Sequence, residues 1–218
     1  MRFALTVLFC LSVPLISFGQ NYYLAGGLNV SSYVRNTFDP DGDAVFNFRP
    51  GFHLGIIGDT YFSEKLFVET GVVFSQKASR LQVTRTLTTS KLYTDDRLTL
   101  HYLEVPLRIG YEVKHFEEVT LIVSGGIFGG MALSARGTYE TRIHDYEFEE
   151  RYKIPWNDLF GSQKFNSLDY GLTASVGASH KDFQLHLLYA RSMANLALPI
   201  GFNQCFRISL RYQLNNQL

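Results

Sequence analysis

The sequence predicts an all-β protein, namely an eight-stranded antiparallel up-and-down β-barrel that spans a membrane. Three observations carry this prediction: an export signal at the amino terminus, eight short segments of alternating polarity, and connections that are alternately short and long. The composition agrees, because 18 Gly, 18 Phe and 13 Tyr are the small and aromatic residues that a filled barrel with interfacial girdles uses.

The first residues have the organisation of a cleaved secretory signal. Arg2 supplies a positive charge, residues 3–16 form an apolar core, and small residues precede a cleavage site after Gly19. The apolar core is shorter than the ~20 residues that a membrane-spanning helix needs. We therefore expect residues 1–19 to be removed and residues 20–218 to form one barrel domain in the outer membrane of a Gram-negative bacterium.

The charge balance and the cysteine content exclude several classes of protein. Lys+Arg and Asp+Glu both number 20, and this formal net charge of zero gives no support for a nucleic-acid partner. Cys10 lies inside the signal core, so only Cys205 is expected in the mature chain. A single thiol allows neither an internal disulfide nor a cysteine-based zinc site, and we expect no cofactor.

Polarity alternates with a period of two residues in eight segments after the signal. In the third segment Val68 and Val72 lie on one face, whereas Glu69 and Ser75 lie on the other. No segment is long and apolar enough for a membrane helix. The predicted strands are 22–31, 51–61, 66–78, 98–113, 119–135, 168–179, 183–192 and 204–214.

The connections between these strands alternate in length. Short connections at 62–65, 114–118 and 180–182 alternate with longer ones at 32–50, 79–97, 136–167 and 193–203. Outer-membrane barrels with both termini in the periplasm have short periplasmic turns and longer outer loops in this order. The spacing therefore predicts the orientation of the barrel in the membrane.

The composition of the polar face decides which face is outside, because a soluble lipocalin-like barrel has the same period. On a surface that faces water, roughly a quarter to a third of the residues are charged. The polar face here is mainly small and uncharged, as in Ala25, Gly27, Asn29 and Ser31 of the first strand. This face is typical of a narrow lumen, and the opposite apolar face is typical of lipid contact.

Several short segments along nearly the whole mature chain have a recognisable pattern. They are Leu24-Ala25-Gly26-Gly27-Leu28-Asn29, Pro50-Gly51-Phe52-His53-Leu54-Gly55, Val68-Glu69-Thr70-Gly71 with Ser75-Gln76-Lys77, Tyr102-Leu103-Glu104-Val105-Pro106-Leu107-Arg108 and Ser124-Gly125-Gly126. These segments resemble the PorT-like outer-membrane β-barrel domain family of Bacteroidetes. The resemblance implies a transmembrane barrel and, because founding members serve a protein-secretion machinery, an accessory role in secretion as one expected function. It also implies the segments Asp169-Tyr170-Gly171-Leu172 and Arg211-Tyr212.

Charged residues recur at positions that point into the predicted barrel. A closed eight-stranded barrel has room only for side chains, and buried opposite charges must pair to offset their desolvation. We expect a structural network of ion pairs, with a proton or ion path or a catalytic carboxylate as the alternative. Its predicted members are Glu69, Glu104, Arg108, Asp169, Arg207 and Arg211.

Two other functional classes compete with a non-enzymatic barrel. Ser90, Asp95 and His101 lie near the outer rim, where a small lipid-modifying enzyme would need a hydroxyl, an acid and a histidine to converge. A minor diffusion porin is disfavoured because eight strands leave no aqueous channel.

The third outer connection combines aromatic and charged residues, which are enriched at interaction hot spots. The alternative is a hairpin that only extends its flanking strands. We therefore predict a non-enzymatic role in envelope structure or interaction, with outer-membrane lipid and a protein or secretion component as partners. The candidate interaction residues are Tyr139, Arg142, Tyr146, Tyr152 and Trp156.

Overall fold

The computed structural model describes residues 21–34, 42–86, 91–143, 146–154, 167–194 and 201–214. The predicted signal segment, residues 1–19, lies outside these ranges. The strands in chain order are β1 (Asn21–Val34), β2 (Gly42–Tyr61), β3 (Leu66–Thr86), β4 (Lys91–Phe116), β5 (Val119–Ile143), β6 (Tyr146–Ile154), β7 (Leu168–His180), β8 (Phe183–Ser192) and β9 (Phe202–Gln213).

Eight of these strands close into a ring in which every pair of neighbours is antiparallel. The order runs from β4 through β3, β2, β1, β9, β8 and β7 to β5, and the pairing of β4 with β5 completes the circle. β6 pairs with β5 outside this ring. The predicted eight-stranded up-and-down barrel is therefore confirmed, with an additional strand in the third outer connection.

The short connections gather at one end of the barrel, as the sequence predicts. Two of them reverse the chain in tight turns at Glu117 and Lys181, whose φ angles are 49° and 53°. These angles lie in the left-handed region, which glycine adopts more easily than other residues. The two turns contact each other, since His180 Nε2 lies 2.9 Å from a carboxylate oxygen of Glu118.

The predicted strand limits were wrong at the opposite end, where three long connections contain further strand. β2 already begins at Gly42, β3 continues to Thr86, β4 begins at Lys91 and β5 continues to Ile143. Sequence alternation did not reveal these extensions, because a period of two residues appears only where one face of a sheet meets lipid or a core. Beyond the membrane both faces of a sheet meet water, so polar residues occupy both parities.

These extensions form a sheet that we call the outer wall. It comprises 42–48 of β2, 79–86 of β3, 91–99 of β4, 135–143 of β5 and the whole of β6, each paired with its neighbour. β7 begins at Leu168, which pairs with Met131 below the level of the wall. Among the described residues, the barrel therefore extends further on the side of β3 to β6 than on the side of β7 and β8.

The two faces of the barrel differ sharply in polarity. Large apolar side chains such as Leu28 and Ile109 point outward and are 64% and 61% exposed. The inward face is buried and holds charged side chains such as Glu69 and Arg211, with apolar groups such as Ala25, Ile57 and Val73 between them. Across the described ranges, no helix is long and apolar enough to cross a membrane.

Candidate functional site

An ion cluster that we call the upper cluster fills the outer half of the lumen. Lys77 of β3 places Nζ 2.7 Å from a carboxylate oxygen of Glu104 and 2.7 Å from one of Asp169. Arg207 of β9 donates to the other oxygen of Glu104 at 2.5 Å. The ammonium of Lys77 also lies 4.8 Å and 5.0 Å from the ring centroids of Tyr102 and Phe128. Lys77 thereby links β3, β4 and β7, and Glu104 links this group to β9 through Arg207.

The lower cluster occupies the half of the lumen nearer the short turns. Glu69 accepts from Arg108 on the paired strand β4 and, at 2.7 Å, from Arg211 across the lumen. Its carboxylate is fully buried. Transfer of one ion from water to a protein interior costs on the order of several kcal/mol, and ion pairing with hydrogen bonds is needed to offset this desolvation cost. One carboxylate thus serves two guanidinium groups.

Asp59 of β2 also lies buried at the level of the lower cluster, where it pairs in register with Glu69. Within the described part of the chain, neither of its carboxyl oxygens has a hydrogen-bond partner. Counting it, the lumen holds equal numbers of acidic and basic side chains: Asp59, Glu69, Glu104 and Asp169 against Lys77, Arg108, Arg207 and Arg211. The barrel interior therefore replaces an apolar core with a charge-balanced one.

A network of neutral side chains joins β1, β2 and β3 on the lumen side. The side-chain amide of Asn29 donates to the carbonyl of Phe52, the carbonyl of Gln76 and the hydroxyl of Ser75. Its carbonyl oxygen lies 2.7 Å from Nδ1 of His53. Since the amide nitrogen of Asn29 is committed to acceptors, Nδ1 of His53 is the donor in this contact. The Nε2 atom of the neutral ring is then left as an acceptor.

The structure places all six predicted lumen charges inside the barrel and adds two that the sequence reasoning did not include in the network. Lys77 shares the inward parity of Glu69, but a lysine can direct its ammonium out of a lumen along its flexible stem. Asp59 has the inward parity of its strand but no cationic partner that alternation could identify. Parity along each strand was the signal that could have found both residues.

The outer wall carries a separate ion network above the membrane. Arg80 of β3 donates to both oxygens of Asp95 at 2.8 and 2.7 Å, and Arg97 donates to one of them at 2.9 Å. Arg97 also lies 3.9 Å from Glu140 of β5, which accepts from Arg142. The network crosses β3, β4 and β5 and therefore ties three strands of the wall together.

Asp95 is the buried centre of this network, with only 2% of its residue surface exposed. The hydrogen bonds from Arg80 lower the pKa of its carboxyl, and burial opposes this effect. The lowered pKa means that the ionised form is favoured in the folded wall. The hydrogen bond of Asn47 to Gln82 at 2.8 Å, and of Gln82 to the hydroxyl of Tyr93 at 2.6 Å, adds uncharged links between strands.

The outward face below the wall matches a lipid-facing band with aromatic rings near its ends. Phe183 and Tyr212 contact each other near the short turns, with ring centroids 5.2 Å apart. Tyr189 and Phe206 do so nearer the outer rim, with centroids 4.8 Å apart. Aromatic girdles at both interfaces flank the apolar band of outer-membrane barrels.

Comparison with protein families agrees with this geometry. The model described as an outer membrane protein beta-barrel domain matches residues 18–206, which is most of the chain. The chain belongs to this family. Its eight-stranded ring, apolar outer surface and filled lumen are those of an outer membrane β-barrel.

The barrel is also similar to solved outer membrane proteins, at low sequence identity. It is 14% identical to the attachment invasion locus protein Ail of Yersinia pestis, with 90% of this chain and 99% of Ail covered and a TM-score of 0.37. It is 16% identical to OprG of Pseudomonas aeruginosa, with 90% and 96% covered and a TM-score of 0.42. No match was found among curated proteins.

The candidate interaction residues of the third outer connection fall on the wall or beyond the described ranges. Arg142 is exposed on β5 and pairs with Glu140. Tyr139 lies on β5, and Tyr146 and Tyr152 lie on β6, so these positions belong to strands rather than to a loop. Trp156 lies outside the described residues.

The residues considered for an outer-membrane enzyme do not assemble into one site in the described structure. His101 Nδ1 lies 2.9 Å from the hydroxyl of Ser134, and its ring stacks on Phe74 with centroids 5.7 Å apart. Asp95 is bound instead by Arg80 and Arg97. Ser90 lies outside the described residues. Among the residues described, no group of three or more His, Cys, Asp or Glu is arranged to hold a metal ion.

Proposed function

We propose that this outer membrane barrel is a non-enzymatic interaction protein, in which the filled barrel anchors the outer wall and the wall contacts a protein partner. The observation that carries the proposal is the wall itself. Five strands remain hydrogen-bonded beyond the lipid-facing band, and an ion network centred on Asp95 holds three of them together. Short turns at this end would be enough to connect the strands of a closed barrel, so the wall is not needed for closure.

The lumen supports a binding role over a transport role. Lys77, Glu104 and Arg207 cross its outer half, and Glu69 joins Arg108 to Arg211 across its lower half. Eight-stranded barrels are just wide enough for side chains to fill. A diffusion pathway through the barrel would have to break these buried ion pairs.

Within this function, we propose that the protein belongs to the PorT-like group of Bacteroidetes and that the partner is a component of a protein-secretion machinery. The segments from Leu24 to Asn29 and from Tyr102 to Arg108 support this assignment. The same proposal includes cleavage of the signal after Gly19 and insertion in the outer membrane with the wall facing the exterior.

A short-wall variant tests the role of the wall. Replacement of residues 138–164 alone is unsuitable, because part of β5 in that range pairs with Leu92–Arg97 of β4. Residues 35–47, 80–97 and 136–166 are therefore each replaced by a glycine-containing connection, which keeps the pairs Phe48 with Ser79, Ser79 with Leu98 and Met131 with Leu168. The matched control replaces the short turn 62–65 at the opposite end.

The expected result is that both variants insert in the outer membrane and show the gel-migration change on boiling that folded barrels show. Only the short-wall variant should lose partner association and fail to complement a deletion strain. If the short-wall variant inserts and complements fully, the function does not reside in the wall. Loss of complementation by the 62–65 control alone would place the function at the periplasmic end.

A further inference from the structure

A small cavity lies inside the barrel between the two ion clusters. It offers about 30 Å³ to a molecule of the size of water. Glu104 and Arg207 of the upper cluster line it, and so do Arg108 and Arg211 of the lower cluster. A cavity needs roughly 10 to 15 Å³ of such space to hold one water molecule, so this one is large enough for one or two small occupants.

The residues that line this cavity carry buried donors without a partner. The Nε atoms of Arg108, Arg207 and Arg211 and the hydroxyl of Thr173 have no hydrogen-bond partner in the described structure. All four residues are more than nine-tenths buried. An unsatisfied buried donor is unfavourable, and several around one cavity indicate a bound acceptor.

The lumen as a whole is charge-balanced, but the charged residues that line the cavity itself have one sign in excess. Three guanidinium groups line it against the single carboxylate of Glu104. Glu69, the single carboxylate that accepts from both Arg108 and Arg211, is not among the lining residues. Asp59 contacts neither arginine by a hydrogen bond within the described residues. An acceptor with negative charge therefore fits this position better than a cation.

We propose that the cavity binds one small monovalent anion of the halide class, with chloride as the physiological occupant. The Nε–H groups of the three arginines and the hydroxyl of Thr173 donate to it. His53 also lines the cavity, and its Nδ1 donates to Asn29, so its neutral Nε2 presents a lone pair. The anion therefore lies on the arginine side of the cavity, away from His53.

The anion connects two clusters that do not otherwise share an ion pair among the described residues. The upper cluster is centred on Lys77 and Glu104, and the lower cluster on Glu69. A halide held by Arg207 above and by Arg108 and Arg211 below adds a link across the middle of the lumen. Because the halide binds only the folded barrel, the free energy of unfolding should rise with the logarithm of halide concentration once that concentration exceeds the dissociation constant.

Crystals of the full mature chain, refolded and grown with sodium bromide in place of sodium chloride, test the site directly. The expected result is an anomalous bromide peak within the cavity. A cavity without such a peak, with density for water alone, overturns the proposal. Peaks confined to the protein surface mean an adventitious ion only, and they overturn it as well.

Thermal unfolding in detergent gives a second test that does not depend on crystals. At constant ionic strength, the midpoint should rise when gluconate, which is too large for the cavity, is replaced by chloride or bromide. Thr173→Val removes one donor at the cavity and should weaken the apparent halide affinity by roughly tenfold, as the loss of one charge-assisted hydrogen bond does.

Ser192→Ala is the matched control. Ser192 is also a buried hydroxyl without a partner in the described structure, but it does not line the cavity. The unfolding midpoint of Ser192→Ala should depend on halide concentration as that of the parent barrel does. Equal midpoints in gluconate and chloride, or an unchanged halide dependence in Thr173→Val, overturn the proposal.

Discussion

Replacement of Glu104 by leucine tests whether the lumen is held together by its ion pairs. Glu104 is the only carboxylate that contacts both Lys77 and Arg207, and Asp169 contacts Lys77 alone among the described residues. In Glu104→Leu, Arg207 loses its partner and the upper cluster changes from neutral to one net positive charge. All of these groups are buried, so bulk water does not solvate the charge that the lost carboxylate leaves on Arg207.

The expected loss of unfolding free energy is roughly 3–5 kcal/mol, the usual cost of removing one member of a buried ion pair. Arg207→Met should cost a similar amount, because it leaves Glu104 and Asp169 to share Lys77. The double variant Glu104→Leu with Arg207→Met keeps the neutral pair of Lys77 with Asp169. Its loss should be smaller than the sum of the two single losses by about 3 kcal/mol, near the upper limit for residues in direct contact.

The assay is urea unfolding of the barrel in lipid vesicles, with the folded fraction read from the migration change on boiling. Lys181→Ala is the control, because Lys181 and its partner Glu118 are each 67% exposed at the side chain, and exposed pairs contribute little. Additive losses in the double variant would refute the reasoning, since they would mean that Glu104 and Arg207 do not stabilise each other.

Three further predictions follow from the same structure. Gly126→Ala should impair folding because its Cβ would lie 2.2 Å from the carbonyl oxygen of Leu107, whereas Gly129→Ala, with no atom within 4 Å, should insert as the parent does; equal yields of heat-modifiable barrel would contradict this. The lowered pKa of Asp95 should leave the outer wall stable above the ordinary carboxyl pKa of about 4 and weaken it as pH falls further, so the protection factors of β4 amides in the wall, each referred to the intrinsic exchange rate at the same pH, should fall only in acid; protection factors that fall between pH 5 and 8 would contradict the assignment. Planar bilayers that contain the protein should show no steady ion current, because buried ion pairs cross the lumen; large stable channels would show that the lumen is open.

The membrane-spanning part of the fold could be predicted from the sequence because its two faces meet different solvents. In β3, Val68 and Val72 face outward and Glu69 and Ser75 face the lumen, so the alternation is visible along the chain. The short turns could be predicted for the same reason, since the alternation stops abruptly at both sides of them. The inward parity of Glu69 and Arg108 likewise predicted that their side chains enter the lumen.

The outer wall could not be predicted from alternation. Arg80 pairs directly with Arg97 across β3 and β4, and the next pair, Leu81 with Asp96, places a charged residue on the opposite face. Neither face of the wall here therefore carries a continuous apolar row. The partners within the lumen also required the structure. Which cation reaches Glu104 depends on the register of β3 and β9 around the ring, and that register places Lys77 rather than Arg108 beside it.

Site-specific photo-cross-linking in living cells tests most directly the central claim that the outer wall is the contact surface. A photoreactive residue replaces Arg142, an exposed position of the wall, and in a second strain it replaces Lys181, an exposed position of a short turn. The account predicts a discrete protein adduct from position 142 and none from position 181. An adduct from position 181 with none from position 142 would contradict it.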